Sequence, residues 1–172
     1  MNVFIAGISS GIGQQLASRY LDLGHQVFGT YKTEENLDNQ VLKSISYFQC
    51  DISVSDSISR LVAEIKNREI SWDLYISAIG ELSPIGSFES LNIKDWKRSL
   101  SLNGEQQLEL LHSLLPFRNK LETSKIVFLV GGGINQPLSY YSAYSLGKVL
   151  LIKFCEYLHD ELPDVHAISL GT

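Results

Sequence analysis

The chain has 172 residues, 44% of them hydrophobic and 19% charged, with a formal net charge of −5. These values are typical of one ordinary globular domain, and mild acidity without a long single-sign run argues against a nucleic-acid or anionic-membrane surface. Cys50 and Cys155 form neither a CxxC motif nor a Cys/His cluster, so we expect buried, reduced thiols and no metal site. No stretch approaches the roughly 20 apolar residues of a membrane helix, and no signal-peptide pattern opens the chain. A cytoplasmic location is therefore expected.

Short β-branched or aromatic runs alternate with longer stretches whose apolar residues recur at helical spacing. In chain order, strands are predicted at residues 3–6, 26–30, 45–49, 74–77, 126–130 and 165–169, and helices at residues 11–23, 55–68, 94–117 and 141–160. Apolar strands joined through helices predict a doubly wound α/β fold, with a parallel sheet covered on both faces. In such folds the ligand lies beyond the carboxyl ends of the strands, so the residues that follow each strand are the candidates for a site.

The first predicted strand leads directly into a glycine-rich turn with G-x-x-x-G-x-G spacing, and then into a helix. Glycine permits a tight turn and a close approach of the backbone to a pyrophosphate, while the helix presents free N–H groups and its positive dipole end. The alternative is a structural turn that binds no ligand. The residues expected to cradle a dinucleotide here are Gly7, Ser9, Ser10, Gly11, Ile12 and Gly13.

The end of the second strand distinguishes the two nicotinamide cofactors, because an acid there accepts from the ribose hydroxyl and repels a 2′-phosphate. This chain has Tyr31 and Lys32 at that position and no acid, which favours NADP(H) over NAD(H), although a lysine after a strand can also be a simple solvated charge. Asp51, after the third strand, either accepts from the adenine amino group or caps the following turn. Ile52 and Gly80, the latter after the fourth strand, are also expected to contact the cofactor.

Tyr144 and Lys148 stand four residues apart at the start of the helix that follows the fifth strand. This spacing places both side chains on one helix face, at the edge of the sheet where a cofactor is expected. A phenol, with a reference pKa of about 10, exchanges protons poorly at pH 7 unless a nearby cation favours its phenolate. Tyr144 is therefore predicted to be a general acid or base supported by Lys148, and the alternative is a surface Tyr–Lys pair.

Taken together, these motifs resemble those of the short-chain dehydrogenases/reductases, in family order and over nearly the whole chain. The resemblance includes Trp96 to Asn103, which is similar to the family segment ending in an active-site asparagine. It implies a single NAD(P)-binding Rossmann-type domain over residues 1–172, and an oxidoreductase that interconverts a carbonyl and an alcohol. It also implies that Asn103 holds a water that relays protons to Lys148. The alternative for Asn103 is a helix-interior residue bonded to the backbone.

The sequence departs from the family pattern at three places. The family serine thirteen residues before the tyrosine is Gly131 here, and the loop residue Ser139 is the plausible substitute for its hydroxyl. The Asn-Asn-Ala-Gly motif is replaced by residues 77–80, Ser-Ala-Ile-Gly. The sequence stops at Thr172, so the substrate loop, further helix and last strand of the family have no counterpart in it.

Two helices that are apolar around much of their circumference, at residues 94–117 and 141–160, indicate a homodimer, because the same pair forms a four-helix interface in the family. The alternative is deeper burial within one subunit. A small carbonyl or alcohol is the expected substrate. The competing function is a nucleotide-binding sensor or assembly subunit without turnover, which Gly131 and the short C-terminus favour.

Overall fold

The computed structural model describes residues 1–33, 45–132 and 135–171. Gly133, two residues after Gly131, and the last residue, Thr172, lie outside these ranges. Within them, six strands form one parallel sheet in the order β3-β2-β1-β4-β5-β6. The strands are β1 (Asn2–Ala6), β2 (Gln26–Tyr31), β3 (Ser46–Gln49), β4 (Leu74–Ser77), β5 (Ser124–Val130) and β6 (Val165–Gly171). The predicted doubly wound parallel fold is confirmed, and the strand order reverses between β1 and β4.

Alternation along the central strands divides the core between the two faces of the sheet. Val3 and Ile5 belong to one buried cluster, and Phe4 and Ala6 belong to the other. Successive side chains of a strand point to opposite faces, so β1 contributes apolar surface to both layers. The described helices that cover the sheet are α1 (Gly11–Asp22), α2 (Ser55–Asn67), α3 (Ile93–Asn103), α4 (Glu105–Leu114) and α5 (Ser142–Glu161).

One predicted element was wrong. The single helix expected at residues 94–117 is two helices, α3 and α4, followed by a 3-10 turn at Leu115–Phe117. Gly104 interrupts the helix with φ −132° and ψ −86°. A Cβ on Gly104 would lie 3.0 Å from the Gly147 carbonyl oxygen of α5. The break between α3 and α4 therefore occurs where the chain lies close to the backbone of α5. The apolar residues keep helical spacing across Gly104, so the sequence pattern does not indicate the break.

Candidate active site at the switch point

The glycine-rich turn joins β1 to α1 at the point where the strand order reverses. Gly7 adopts a positive φ of 79°, which favours glycine, and the Ser10 hydroxyl caps α1 by accepting from the Gly13 N–H at 3.0 Å. A Cβ on Gly13 would lie 2.9 Å from the Ile8 Cα, whereas a Cβ on Gly11 would have no atom of the described ranges within 4 Å. Gly13 is therefore required for packing of the turn, and Gly11 presents a bare backbone to the space above the helix N-terminus.

Two cavities lie side by side along the carboxyl ends of the strands, and they share Ser10, Ala78, Ile79 and Gly80. The first, of about 360 Å³, is the Tyr144 cavity; it also contains Gly11, Ile12, Leu82, Leu129, Val130, Gly131, Tyr144 and Lys148. The second, of about 300 Å³, is the Asp51 cavity; it also contains Gly7, Ser9, Thr30, Tyr31, Lys32, Cys50, Asp51, Ile52, Glu81 and Leu102. Two adjacent cavities with a shared wall therefore bring together the glycine turn, the ends of β2 and β3, and the Tyr–Lys pair.

Asp51 and Lys32 form an ion pair at the edge of the Asp51 cavity. The Lys32 Nζ lies 3.1 Å from Oδ2 of Asp51, and the other carboxylate oxygen accepts from the backbone N–H and the hydroxyl of Ser53. Partial burial favours the neutral carboxyl, but the hydrogen bonds from Ser53 and Lys32 hold the pKa of Asp51 below its ordinary value. These bonds are those of a turn-capping aspartate whose carboxylate is already engaged.

Lys148 is 2% exposed, and its ammonium is held by backbone carbonyls. Nζ donates to the Ile79 oxygen at 2.7 Å and to the Leu129 oxygen at 3.0 Å, and it lies 5.8 Å from the centre of the Tyr144 ring. Burial lowers the pKa of Lys148 to about 8. At neutral pH most of the molecules therefore carry a cation beneath the phenol.

Gly131 and Tyr144 are in direct contact, because the Tyr144 hydroxyl occupies the space that a Cβ on Gly131 would need. Ser139 is exposed and is not among the described residues that line the Tyr144 cavity. Ser142 is also engaged elsewhere, since its hydroxyl accepts from the Trp96 indole N–H at 2.9 Å. In the described part of the chain, no side-chain hydroxyl other than those of Ser10 and Tyr144 lines this cavity.

Asn103 is fully buried at the end of α3, and its amide bonds the backbone. Its Oδ1 accepts from the Glu81 N–H at 3.1 Å, and its Nδ2 donates to the carbonyls of Glu81 at 2.8 Å and Ser99 at 2.9 Å. The Glu81 carboxylate in turn receives two hydrogen bonds from Arg98. The backbone-bonded alternative for Asn103 thus describes its contacts, and these contacts hold the segment that follows Gly80.

Sequence reasoning missed several groups around Lys148. These are the accepting carbonyls of Ile79 and Leu129, together with a buried Gln107 whose amide also donates to the Ile79 oxygen at 3.2 Å. Every residue has a backbone carbonyl, so the sequence does not indicate which carbonyls contact Lys148. Gln107 did leave a signal, because it is a polar residue four positions after Asn103 on a helix face that is otherwise apolar.

Comparison with known proteins shows the family of the chain. The family model described as short chain dehydrogenase matches residues 1–171. The chain belongs to the short-chain dehydrogenase family. It is 28% identical to a fatty acyl-CoA reductase of Acinetobacter baylyi, covering 96% of this chain and 58% of that protein. It is 19% identical to the NADP-dependent 3-hydroxy acid dehydrogenase YdfG of Salmonella typhimurium, covering 94% of this chain and 66% of the relative.

Solved structures show the same fold. The YIR035C short chain dehydrogenase/reductase of Saccharomyces cerevisiae superposes with a TM-score of 0.87 at 22% identity, covering 99% of this chain and 70% of that structure. The aldohexose dehydrogenase of Thermoplasma acidophilum superposes with a TM-score of 0.85 at 21% identity, covering 99% and 66%. The chain spans 58% of the length of the Acinetobacter reductase and 66% of the length of the Salmonella dehydrogenase.

Proposed function

We propose that this chain binds a nicotinamide dinucleotide and interconverts a carbonyl group and an alcohol. The observation that carries the proposal is the pair of adjacent cavities that share a wall beside the glycine turn, one of them lined by the buried Lys148 and by Tyr144. Titratable groups with shifted pKa values inside a cleft are typical of catalytic sites. The two curated relatives, a reductase and a dehydrogenase, support the same class.

The residues present fit a dinucleotide. The bare backbone at Gly11 and the N-terminus of α1 would hold the pyrophosphate, because both free N–H groups and the helix dipole favour an anion there. The Asp51 cavity, with Tyr31, Lys32 and Ile52, would take the adenosine half, and Gly80 in the shared wall would lie beside the middle of the ligand.

NADP(H) is the preferred cofactor in this proposal, with NAD(H) as the competitor. Lys32 has 64% of its side chain exposed at the cavity edge, where it can turn toward a 2′-phosphate. Its present partner Asp51 offsets part of that charge, so the preference is expected to be modest. The Thr30 hydroxyl accepts from the Gly7 N–H at 3.2 Å and is therefore already used within the fold.

The chain's own groups supply the proton. Bound nicotinamide would deliver or accept a hydride at the carbon of the substrate. Tyr144 would donate its hydroxyl proton to the carbonyl oxygen during reduction and take a proton from the alcohol in the reverse direction. The Lys148 ammonium, fixed by the Ile79 and Leu129 carbonyls, would stabilise negative charge on the phenol oxygen.

Asn103 stays part of the proposed site in two roles. The relay of protons to Lys148 through a water follows from the family resemblance. The structure supports a second role, because the Asn103 amide bonds both the N–H and the carbonyl of Glu81, and so fixes the loop that carries Gly80 beside Lys148.

The test uses purified protein with NADPH and a panel of aldehydes and ketones, beside the Tyr144→Phe variant. Phenylalanine keeps the ring and removes the proton, so turnover is expected to fall about 10²- to 10⁴-fold while nucleotide binding is retained. If the nucleotide binds but the native protein reduces nothing faster than the variant, the oxidoreductase proposal fails. The binding-only alternative, which Gly131 favours, then holds.

We also propose a homodimer that uses α5. Leu146, Val149, Leu150 and Tyr157 form a stripe on this helix and are each 40–55% exposed. The apolar residues of α4, by contrast, are mostly buried, so deeper burial accounts for that helix. A second copy is the proposed occupant, because an apolar stripe on one helix can cover its own symmetry mate. In sedimentation the native protein should have the mass of a dimer and Leu150→Glu the mass of a monomer. Equal masses for the two proteins would contradict the dimer.

The proposed setting is a reducing cytoplasm. Both cysteines are buried and unpaired. No helix in the described part of the chain has the length and apolarity required to cross a membrane.

A further inference from the structure

Gln107 is a completely buried polar residue in the first turn of α4, just after the break at Gly104. Its Nε2 donates to the carbonyls of Ile79 and Leu102, each at 3.2 Å, and its Oε1 accepts from the Ser77 hydroxyl at 2.7 Å. Ser77 is itself fully buried at the end of β4. A buried amide is costly unless its groups are paired, and both ends of this amide are paired. Its orientation is therefore fixed, with nitrogen toward Ile79 and oxygen toward Ser77.

The Ile79 carbonyl receives a second donor, the Lys148 ammonium, at 2.7 Å. A carbonyl oxygen has two lone pairs, so Gln107 and Lys148 together fill its capacity. Ile79 lies beyond the end of β4, whose pairing with β1 and β5 ends at Ser77. The amide of Gln107 therefore supplies a fixed point for a carbonyl that the sheet does not hold.

We propose that Gln107, oriented by Ser77, is a positioning residue that sets the place of the Lys148 ammonium by holding the carbonyl that both side chains share. The inference rests on the proposed function, in which Lys148 supports proton transfer by Tyr144. Gln107 touches neither substrate nor cofactor in this account and acts only through Ile79 and Lys148. A merely structural role would instead confine its effect to folding stability.

The first readout is turnover in Gln107→Leu, which keeps similar bulk and removes the donor. We expect kcat to fall about tenfold because the ammonium is less precisely placed, with the Kd for NADPH unchanged within about twofold. Gln106→Leu is the matched control, because it makes the same substitution one position earlier, where the buried side-chain oxygen has no hydrogen-bond partner in the described part of the chain. Ser77→Ala should lower kcat in the same direction. The double variant should lose no more than Gln107→Leu alone, since Ser77 acts through Gln107.

The second readout needs no turnover. Lysine labelled with ¹³C at Cε, with its signal assigned by Lys148→Arg, reports the titration of Lys148 directly. In Gln107→Leu the Ile79 carbonyl is no longer held beside the ammonium, and a weaker hydrogen bond to this acceptor disfavours the charged form, so the Lys148 pKa should fall below its value in the native protein and in Gln106→Leu. If Gln107→Leu does not fold, Ser77→Ala carries the same comparison.

The outcomes separate the two proposals. If the native protein reduces no carbonyl but the Lys148 titration moves as expected, the positioning role stands and the proposed function fails. An active native protein in which Gln107→Leu matches Gln106→Leu in kcat, or has an unchanged or raised Lys148 pKa, overturns the positioning role and leaves the proposed function intact.

Discussion

At the residue scale, the contact between Tyr144 and Gly131 distinguishes this site from the family pattern. The phenol oxygen occupies the volume where a side chain at position 131 would begin. Glycine stands where the resemblance leads us to expect the family serine, and the Tyr144 hydroxyl occupies part of the space that such a side chain would need. In the proposed reaction this removes a hydroxyl donor to the substrate oxygen, and such a donor contributes on the order of 10²- to 10³-fold in rate.

Gly131→Ser should restore that donor. The three atoms nearest to the new Cβ all belong to the Tyr144 side chain, so the phenol and not the backbone must shift to admit it. We expect kcat for carbonyl reduction to rise about tenfold or more, measured at saturating NADPH. Gly131→Ala is the control, because it displaces the phenol without supplying a hydroxyl. A serine variant no faster than the alanine variant would contradict this interpretation of position 131.

The buried lysine predicts a dependence of stability on pH. The pKa of Lys148 is about 8 in the folded protein, against 10.5 as its ordinary value. Below pH 8 Lys148 is protonated in both the folded and the unfolded protein, and burying its charge lowers the stability of the fold. Between pH 8 and 10.5 Lys148 stays protonated only in the unfolded protein. The free energy of unfolding should therefore rise by about 3 kcal/mol over this range, relative to Lys148→Met.

Urea unfolding of both proteins without nucleotide, at pH 7.5 and pH 10, measures this difference. The comparison with Lys148→Met removes the contribution of other groups that titrate in the same range. Parallel pH profiles for the two proteins would show that the folded state does not lower the pKa of this lysine.

At the element scale, the crossing of α3 and α5 brings Asn103 and Lys148 to the same loop. The crossing is close because Gly147 lacks a side chain. A Cβ on Gly147 would lie 2.7 Å from the Asn103 Cβ and 3.0 Å from the Leu100 carbonyl oxygen. Gly104, at the helix break, also lacks a side chain, and this lets the Gly147 backbone of α5 lie close to it. Two glycines on different helices therefore set the distance between proposed site residues.

Gly147→Ala should destabilise the protein by about 1–3 kcal/mol, because the added methyl meets backbone atoms that cannot move independently. Alanine is favoured over glycine within a helix by about 1 kcal/mol, so a net loss of stability isolates the packing effect. The thermal midpoint should fall by several degrees in calorimetry. Gly132→Ala, where a Cβ would have no atom of the described residues within 4 Å, should leave the midpoint unchanged. A Gly147→Ala protein as stable as the native one would show that the helices can separate freely.

Sequence patterns predicted the elements well where periodicity was unbroken. β4 was predicted at residues 74–77, as found, and the other strands differ by at most two residues at an end, because β-branched runs define buried parallel strands. The break at Gly104 could not be predicted from apolar spacing, since its cause is the contact with Gly147, 43 positions later in the sequence. The same limit applies to the Lys32–Asp51 pair and to the carbonyls around Lys148, which only the tertiary fold brings together.

At the scale of the whole molecule, the sheet order places all the proposed cofactor contacts along one edge. The glycine turn follows β1, Lys32 follows β2, Asp51 follows β3, Gly80 follows β4, and the Tyr–Lys pair follows β5. Parallel strands deliver their carboxyl ends to one edge, so a fold predicted from periodicity already predicts this clustering. The central claim is that one dinucleotide spans both cavities, with its pyrophosphate over Gly11.

Titration calorimetry with NADPH and NADH tests that claim most directly, using Gly11→Asp beside Gly11→Asn. Among the residues that the structure describes, none has an atom within 4 Å of a Cβ at position 11, and an acid in the first turn favours the helix, so Gly11→Asp should stay as stable as the native protein. We expect one NADPH per chain, bound modestly tighter than NADH, and about 100-fold weaker binding in Gly11→Asp than in Gly11→Asn, because the carboxylate repels the pyrophosphate. No binding heat from either nucleotide, or equal affinities for the two variants, would contradict the account.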